Sequence, residues 1–179
     1  MGSVDFDDLL LLTDDLFSAH ALALAEEANR FDHLLIDEYQ DTNAIQYRIV
    51  KALASPHGNL CVVGDDDQSI YGFRGSEVEH ILHFEDDWPG AKVIRLQTNY
   101  RSTAAILETA NTLISYNKGR LEKTLIPARP GGQKPRIEQF RDENVEAEQV
   151  VYSIQRQIES GHWEPADFAI LFRTNEYHF

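Results

Sequence analysis

Long apolar runs are missing from this sequence, and none approaches the roughly 20 residues that a membrane-crossing helix needs. The opening Met1-Gly2-Ser3 passes at once into acidic residues, so it does not read as a secretory leader. Cysteine is nearly absent. Cys61 stands alone, which excludes a disulfide framework within these residues and fits a reducing, cytoplasmic setting. It lies in an apolar run and is expected to be a buried strand residue. Positive charge is also scarce, with 16 Lys and Arg against 30 Asp and Glu and a formal net charge of -14. That balance argues against a protein that grips nucleic acid through a broad basic face. It leaves room for a narrow track built from a few aromatics and arginines. Repeats and low-complexity tracts are absent.

What remains is ordinary globular material: 179 residues, 42% hydrophobic and 26% charged, enough to bury a core in one domain or two small ones. Strand and helix patterns alternate, which predicts an α/β fold with a mainly parallel sheet flanked by helices. Residues 6–29 read as helical, and Leu34, Leu35 and Ile36 form a short apolar strand. Ile45, Ile49 and Leu53 recur every four residues, giving a helix with one buried face. Residues 60–63 form a second apolar strand, and Val78, Ile81 and Leu82 mark a short helix. Another strand is expected to begin at residues 93–96, followed by a helix capped by Ser102 and carrying Ile106, Ala110, Leu113 and Ile114 on one face. Residues 117–134 look irregular. Residues 137–140 and 168–172 are expected strands around a long helix that holds Ala147, Val151, Ile154 and Ile158 and closes near Gly161. The break at Trp88-Pro89-Gly90 suggests a boundary, with one portion at 1–91 and another at 92–179.

Chemistry first surfaces where the strand 34–36 runs into Asp37-Glu38. Ligands of open α/β sheets bind beyond the carboxyl ends of the strands. Two adjacent carboxylates there suit a magnesium nucleotide, because one can hold Mg²⁺ through water and the next can take a proton from an attacking water. Side chains of neighbouring residues on an extended strand diverge, so the two roles fall on different residues.

The continuation narrows the reading. DEYQDTN spans residues 37–43, VVGDDDQSIYGFRGS spans 62–76 and LQTNYRS spans 96–102. With DFDDLL at 5–10 and LFRTN at 171–175, these stretches resemble the UvrD/Rep/PcrA group of superfamily 1 DNA helicases across essentially the whole chain. The resemblance implies a RecA-like P-loop NTPase fold, with the later part of a first motor domain at 1–91 and the earlier part of a second at 92–179. ATP and Mg²⁺ are the implied nucleotide and cofactor. Single-stranded DNA and duplex junctions are the implied partners, with no membrane.

Carried over residue by residue, Asp37 is implied to bind Mg²⁺ and Glu38 to activate the water that attacks the γ-phosphate. Gln68 is implied to sense that phosphate. Tyr100 is implied to stack on adenine, and Arg101 to reach the γ-phosphate from the second motor domain, where a cation stabilises charge developing in phosphoryl transfer. Phe73, Arg74 and, less directly, Tyr71 are implied to meet single-stranded DNA, by base stacking and by phosphate or cation–π contact. Arg173 and Asn175 resemble residues near DNA on the second domain. Of the three aspartates 65–67, Asp65 is assigned as a partner of the magnesium site, and Asp66 and Asp67 are read as hydrogen-bonding turn residues. Asp5, Asp7 and Asp8 read as a helix start with a solvated face.

One element of the pattern is missing. A phosphate loop, G-x-x-x-x-G-K-[ST], occurs nowhere in the 179 residues, and Gly131-Gly132-Gln133-Lys134 does not match it. The chain is therefore expected to begin after one accessory insertion of such a motor and to stop before the other. By itself it is expected not to hydrolyse ATP. Two other readings stay open: a non-catalytic DNA-binding or regulatory module, and part of a helicase–nuclease subunit.

Overall fold

A computed structural model describes residues 3–172. The chain forms two compact units, residues 1–134 and 135–179. Both mix helices with extended segments, and the fold is α/β.

The first unit opens with helices α1 (Phe6–Ala19) and α2 (Ala21–Ala28). The periodicity over 6–29 suggests one helix, but the chain turns at His20, whose φ of -129° and ψ of 85° leave the helical region. Asp5 caps α1: its carboxylate accepts from the Asp8 N–H at 2.9 Å, while Asp8 accepts from the Asp5 N–H at 3.0 Å. This reciprocal box places negative charge at the positive end of the helix dipole. Strand β1 (Leu34–Ile36) leads through a tight turn to α3 (Ala44–Ala54), and β2 (Leu60–Val62) follows. Asn43 caps α3 by accepting from the Ile45 and Gln46 N–H groups. Strands β1 and β2 pair in parallel, with Leu34 opposite Leu60, Leu35 opposite Cys61 and Ile36 opposite Val62. One face of this ribbon is uncovered. Cys61 is therefore exposed, not buried, because it shares that face with Leu35.

Two short helices, α4 (Glu79–Leu82) and α5 (Phe84–Asp87), close over the turn after β1. Phe84 meets the fully buried Tyr39 edge-on at 5.8 Å between ring centroids. Burial pushes the Tyr39 hydroxyl up to about 12. Tyr47 and Lys51 on α3 both donate to the Asp87 carboxylate, each at 2.5 Å, and pin α5 to α3. A second parallel pair joins β3 (Thr98–Thr103) to β4 (Ile126–Arg129), with an irregular register between Asn99 and Thr103. The expected strand at 93–96 is thus displaced to 98–103. There Asn99 accepts from the Arg101 and Ser102 N–H groups. Ser102 lies in β3, and Thr103, not Ser102, takes the N-cap position of α6 (Ala104–Ile114). The segment 117–134, read as irregular, contains β4.

In the second unit α7 (Glu143–Glu159) is the principal element, capped by Asp142, which accepts from the Val145 N–H at 3.0 Å. It ends beside Gly161, whose φ of +76° suits glycine. Phe140, Val150, Ile154, Phe168 and Ile170 line a shallow groove. The segments 137–140 and 168–172 are not strands, because neither has a hydrogen-bonded neighbour among the described residues of the unit.

No helix among the described residues is long and apolar enough to cross a membrane.

Candidate functional site

The carboxyl ends of β1 and β2 lie side by side, and the backbone ladder extends past both. Val63 donates to the Ile36 carbonyl at 2.8 Å, and Tyr39 donates to the Val63 carbonyl at 3.0 Å. Asp37 and Glu38 therefore leave the ribbon next to the acidic turn 65–67. Both are exposed. Asp37 Oδ1 accepts from the Glu38 N–H at 2.9 Å.

Glu38 has φ 51° and ψ 42°, and is the one non-glycine residue with positive φ among those described. A left-handed conformation costs a residue with a side chain about 1–3 kcal/mol, and it persists where surrounding contacts enforce it. Here the following residues enforce it. Tyr39 and Gln40 are buried, and Gln40 donates its amide Nε2–H to Glu38 Oε2 at 2.8 Å. The other end of the same amide, Oε1, accepts from the Asp65 N–H at 3.0 Å. Asp65 in turn accepts from the Gln68 amide at 2.7 Å through Oδ2 and from the Asp67 N–H at 3.1 Å through Oδ1. Glu38, Gln40, Asp65 and Gln68 thus form one continuous hydrogen-bonded chain across the two strand ends.

Gly64 makes that closeness possible. A Cβ at this position would lie 2.6 Å from Gln40 Oε1, 2.8 Å from Ile81 Cδ1 and 3.2 Å from the Tyr39 backbone nitrogen. Gly64→Ala is expected to destabilise the fold by about 1–3 kcal/mol in urea denaturation, because the pinned amide and the backbone have little room to move. A loss within experimental error would show that the strand ends are looser than described.

The three aspartates are held by two basic side chains. Arg120 makes a two-pronged contact with Asp67, through Nε at 2.7 Å and Nη2 at 2.5 Å. Lys123 Nζ reaches Asp65 at 2.6 Å and Asp67 at 3.1 Å, and also pairs with Asp66. Burial alone would raise the Asp65 carboxyl, but the Lys123 and Gln68 hydrogen bonds bring it below the usual carboxylate range. The Arg120 contact does the same for Asp67. Burial opposes the Lys123 charge, yet the three carboxylates raise its affinity for the proton overall. Local spacing reveals neither partner. The signal was compositional: three consecutive aspartates in a strongly acidic chain call for cations, and the stretch 120–123 supplies two.

Tyr71, Phe73 and Arg74 form an exposed platform. The two rings lie 6.2 Å apart at 51°, and the Arg74 guanidinium sits 5.2 Å from the Tyr71 ring and 5.4 Å from the Phe73 ring. Phe73 is 78% exposed, unusual for a phenylalanine. The platform is fastened to the segment after the Asp37-Glu38 pair. Ser76 Oγ donates to the Asp41 carbonyl at 2.9 Å, and the Glu77 N–H donates to the Thr42 carbonyl at 3.0 Å.

Tyr100 and Arg101 sit on β3, in the other sheet, and are exposed. The Arg101 guanidinium makes no ion pair among the described residues, and no described hydrogen bond joins either residue to the ends of β1 and β2. Arg173 and Asn175 lie outside the described residues.

The donor set at Asp37 and Glu38 fits a hard divalent cation, which takes oxygen ligands and keeps much of its water. The turn 65–67 offers no such place, since its carboxylates are occupied by Lys123 and Arg120.

Against this geometry, the comparisons with known proteins are decisive. Residues 1–89 match the UvrD/REP helicase N-terminal domain, and residues 94–179 match the UvrD-like helicase C-terminal domain. The chain belongs to the UvrD-like helicase family. It is 48% identical to YjcD of Bacillus subtilis over 171 residues, which covers 96% of this chain and 22% of that protein. It is 47% identical over 173 residues to the ATP-dependent DNA helicase PcrA of Staphylococcus epidermidis, covering 97% of this chain and 24% of that one. The PcrA of Leuconostoc citreum is 46% identical, with 97% of this chain and 23% of the relative covered. The chain thus spans about a quarter of the length of the curated relatives it matches.

Proposed function

We propose that the protein carrying this chain is an ATP-driven DNA helicase that moves along single-stranded DNA, 3′ to 5′, and separates duplex at junctions. The observation that carries the reading is the hydrogen-bonded chain from Glu38 through Gln40 and Asp65 to Gln68. It holds a carboxylate suited to water activation in fixed relation to an amide suited to contact a terminal phosphate. The PcrA relatives bear the name ATP-dependent DNA helicase, which supports the same reading.

In this reading Asp37 would hold Mg²⁺ beside Glu38, and the ion when bound would neutralise phosphate charge. Glu38 takes the proton of the attacking water. Gln68 contacts the γ-phosphate, and the exposed β3 pair supplies a ring for adenine from Tyr100 and a cation for the developing charge from Arg101. The boundary between the two motor-domain portions falls at 91/92, supported by the gap between the two matched stretches. A cytoplasmic location is supported by the single, exposed Cys61. The phosphate cradle is not among these 179 residues, so the chain by itself lacks what ATP hydrolysis needs.

The aromatic platform supports DNA binding. A base stacks on an exposed ring whatever its identity, which suits a motor that must step along any sequence. The chain carries a net charge of -14, so affinity is expected to come from a few such contacts and from Arg74. The test is ATP hydrolysis by the full-length protein with and without single-stranded DNA. Stimulation by the strand is expected. Phe73→Ala is expected to weaken single-strand affinity about tenfold, the equivalent of losing one stacked base. A rate indifferent to DNA, with Phe73→Ala binding as well as wild type, would remove the helicase reading.

A further inference from the structure

We propose that Gln40 is a positioning residue for water activation, fixing the Glu38 carboxylate against the Asp65–Gln68 turn. The proposal rests on the function proposed above.

A side chain this deeply buried, at 1% exposure, is more economically an aliphatic one, because an amide must have its polar atoms satisfied. Gln40 meets that demand in a way that joins the two strand ends. Its Nε2 donates to Glu38 Oε2 at 2.8 Å, with a longer contact to Asp41 Oδ2 at 3.5 Å. Its Oε1 accepts from the Asp65 N–H at 3.0 Å. The orientation of the amide is fixed by its neighbours, since a flip would set oxygen against carboxylate and N–H against N–H. Among straight-chain residues of this length, glutamine is the one that carries a donor and an acceptor together in a neutral group. Glutamate would accept at both ends and repel Glu38. Leucine would fill the space and hold nothing.

The backbone is arranged for this bridge. The left-handed turn at Glu38 folds the chain back, so a residue two positions on reaches its carboxylate. With Oε2 engaged by Gln40, Oε1 of Glu38 has no described hydrogen-bond partner, and it is the oxygen left to take a proton from water. Because Asp65 also receives the Gln68 amide at 2.7 Å, displacing Gln40 shifts the water-activating oxygen relative to the phosphate-contacting amide. Such a misplacement slows the chemical step more than it weakens ground-state binding.

The test is a double-mutant cycle in the full-length protein, with single-turnover ATP hydrolysis in the presence of single-stranded DNA as the readout. Gln40→Leu is expected to lower kcat by about 10–100-fold, the usual scale for removing the support of a reacting group. The KM for ATP should stay within about threefold, since the effect is on the chemical step. Gln40→Glu, which keeps the volume if leucine prevents folding, should lose kcat to the same degree. In a Glu38→Gln background, Gln40→Leu should cost nothing further, because the group it positions no longer acts as a base. A purely structural role would slow both backgrounds alike or raise KM, and either result overturns the proposal. So does full kcat in Gln40→Leu alongside a dead Glu38→Gln, which leaves the helicase reading intact. If Glu38→Gln itself hydrolyses ATP normally, the site reading fails and this proposal goes with it.

Discussion

Glu38→Gln in the full-length protein is expected to reduce ATP hydrolysis by about 10²–10⁴-fold, the span of a lost general base. The substitution is nearly isosteric. Its amide oxygen can still accept from the Gln40 Nε2–H that Glu38 Oε2 now receives at 2.8 Å, so the turn at the end of β1 should keep its shape. The left-handed backbone at position 38 is equally demanding for either residue and adds no difference between them. What changes is basicity: an amide cannot take the proton of water at neutral pH. Ground-state binding should be retained or slightly tightened, because one negative charge is removed near the triphosphate. Single-stranded DNA affinity should be unchanged, since Tyr71, Phe73 and Arg74 lie on a separate platform. Steady-state turnover beside equilibrium nucleotide binding separates the two effects. A variant that turns over at near the wild-type rate would mean that another group activates the water. The assignment of Glu38, and with it the meaning of the chain to Gln68, would fall.

The position of Glu38 at the end of a strand was readable from the chain alone, because an apolar triplet running into two acids is a local pattern, whereas its role in water activation came from the resemblance carried by the longer motifs. The Asp5 cap and the helix 143–159 were legible for the same reason: capping and the 3.6-residue period are local properties. Failures cluster where the deciding contact is distant in sequence. Cys61 sits in an apolar run, yet the face it shares with Leu35 is uncovered, which only the pairing of β1 with β2 reveals. Gln40 gave no signal, because its two partners are 2 and 25 residues away and meet only when the strand ends align. Residues 137–140 and 168–172 have strand-like composition, but composition does not provide a neighbouring strand. The shift of β3 from 93–96 to 98–103 reflects its pairing with β4 across a segment that reads as loop.

Lys123→Ala should produce the largest stability change of any single charge removal among the described residues. Lys123 serves three aspartates at once, and its side chain is 18% exposed while that of Asp66 is 4% exposed. Removing one partner of a largely buried ionic cluster costs about 3–5 kcal/mol, because the remaining charges are left unpaired in a poorly solvated place. Here they also repel one another, with only Arg120 left to oppose them. Partial access of water to Asp65 places the expected loss near the lower end, about 3 kcal/mol in urea denaturation at neutral pH. Lys134→Ala is the control. Its ion pair with Glu108 spans 3.6 Å between exposed side chains and should be worth no more than about 0.5 kcal/mol. The pH dependence gives a second, independent signature. Asp65 and Asp67 have folded affinities for the proton below their unfolded ones, so their contribution is complete above about pH 4 and is lost as pH falls through the folded values. Lys123 is shifted the other way, so its contribution is complete below about pH 10 and is lost as pH rises through the folded value. Wild-type stability from this cluster should therefore be flat across neutral pH. The gap between Lys123→Ala and wild type should narrow in acid, where the aspartates are protonated in both proteins and no longer need a cation. A gap that is small at neutral pH, or that persists unchanged in acid, would show that Lys123 supports the turn by packing its stem and not by its charge.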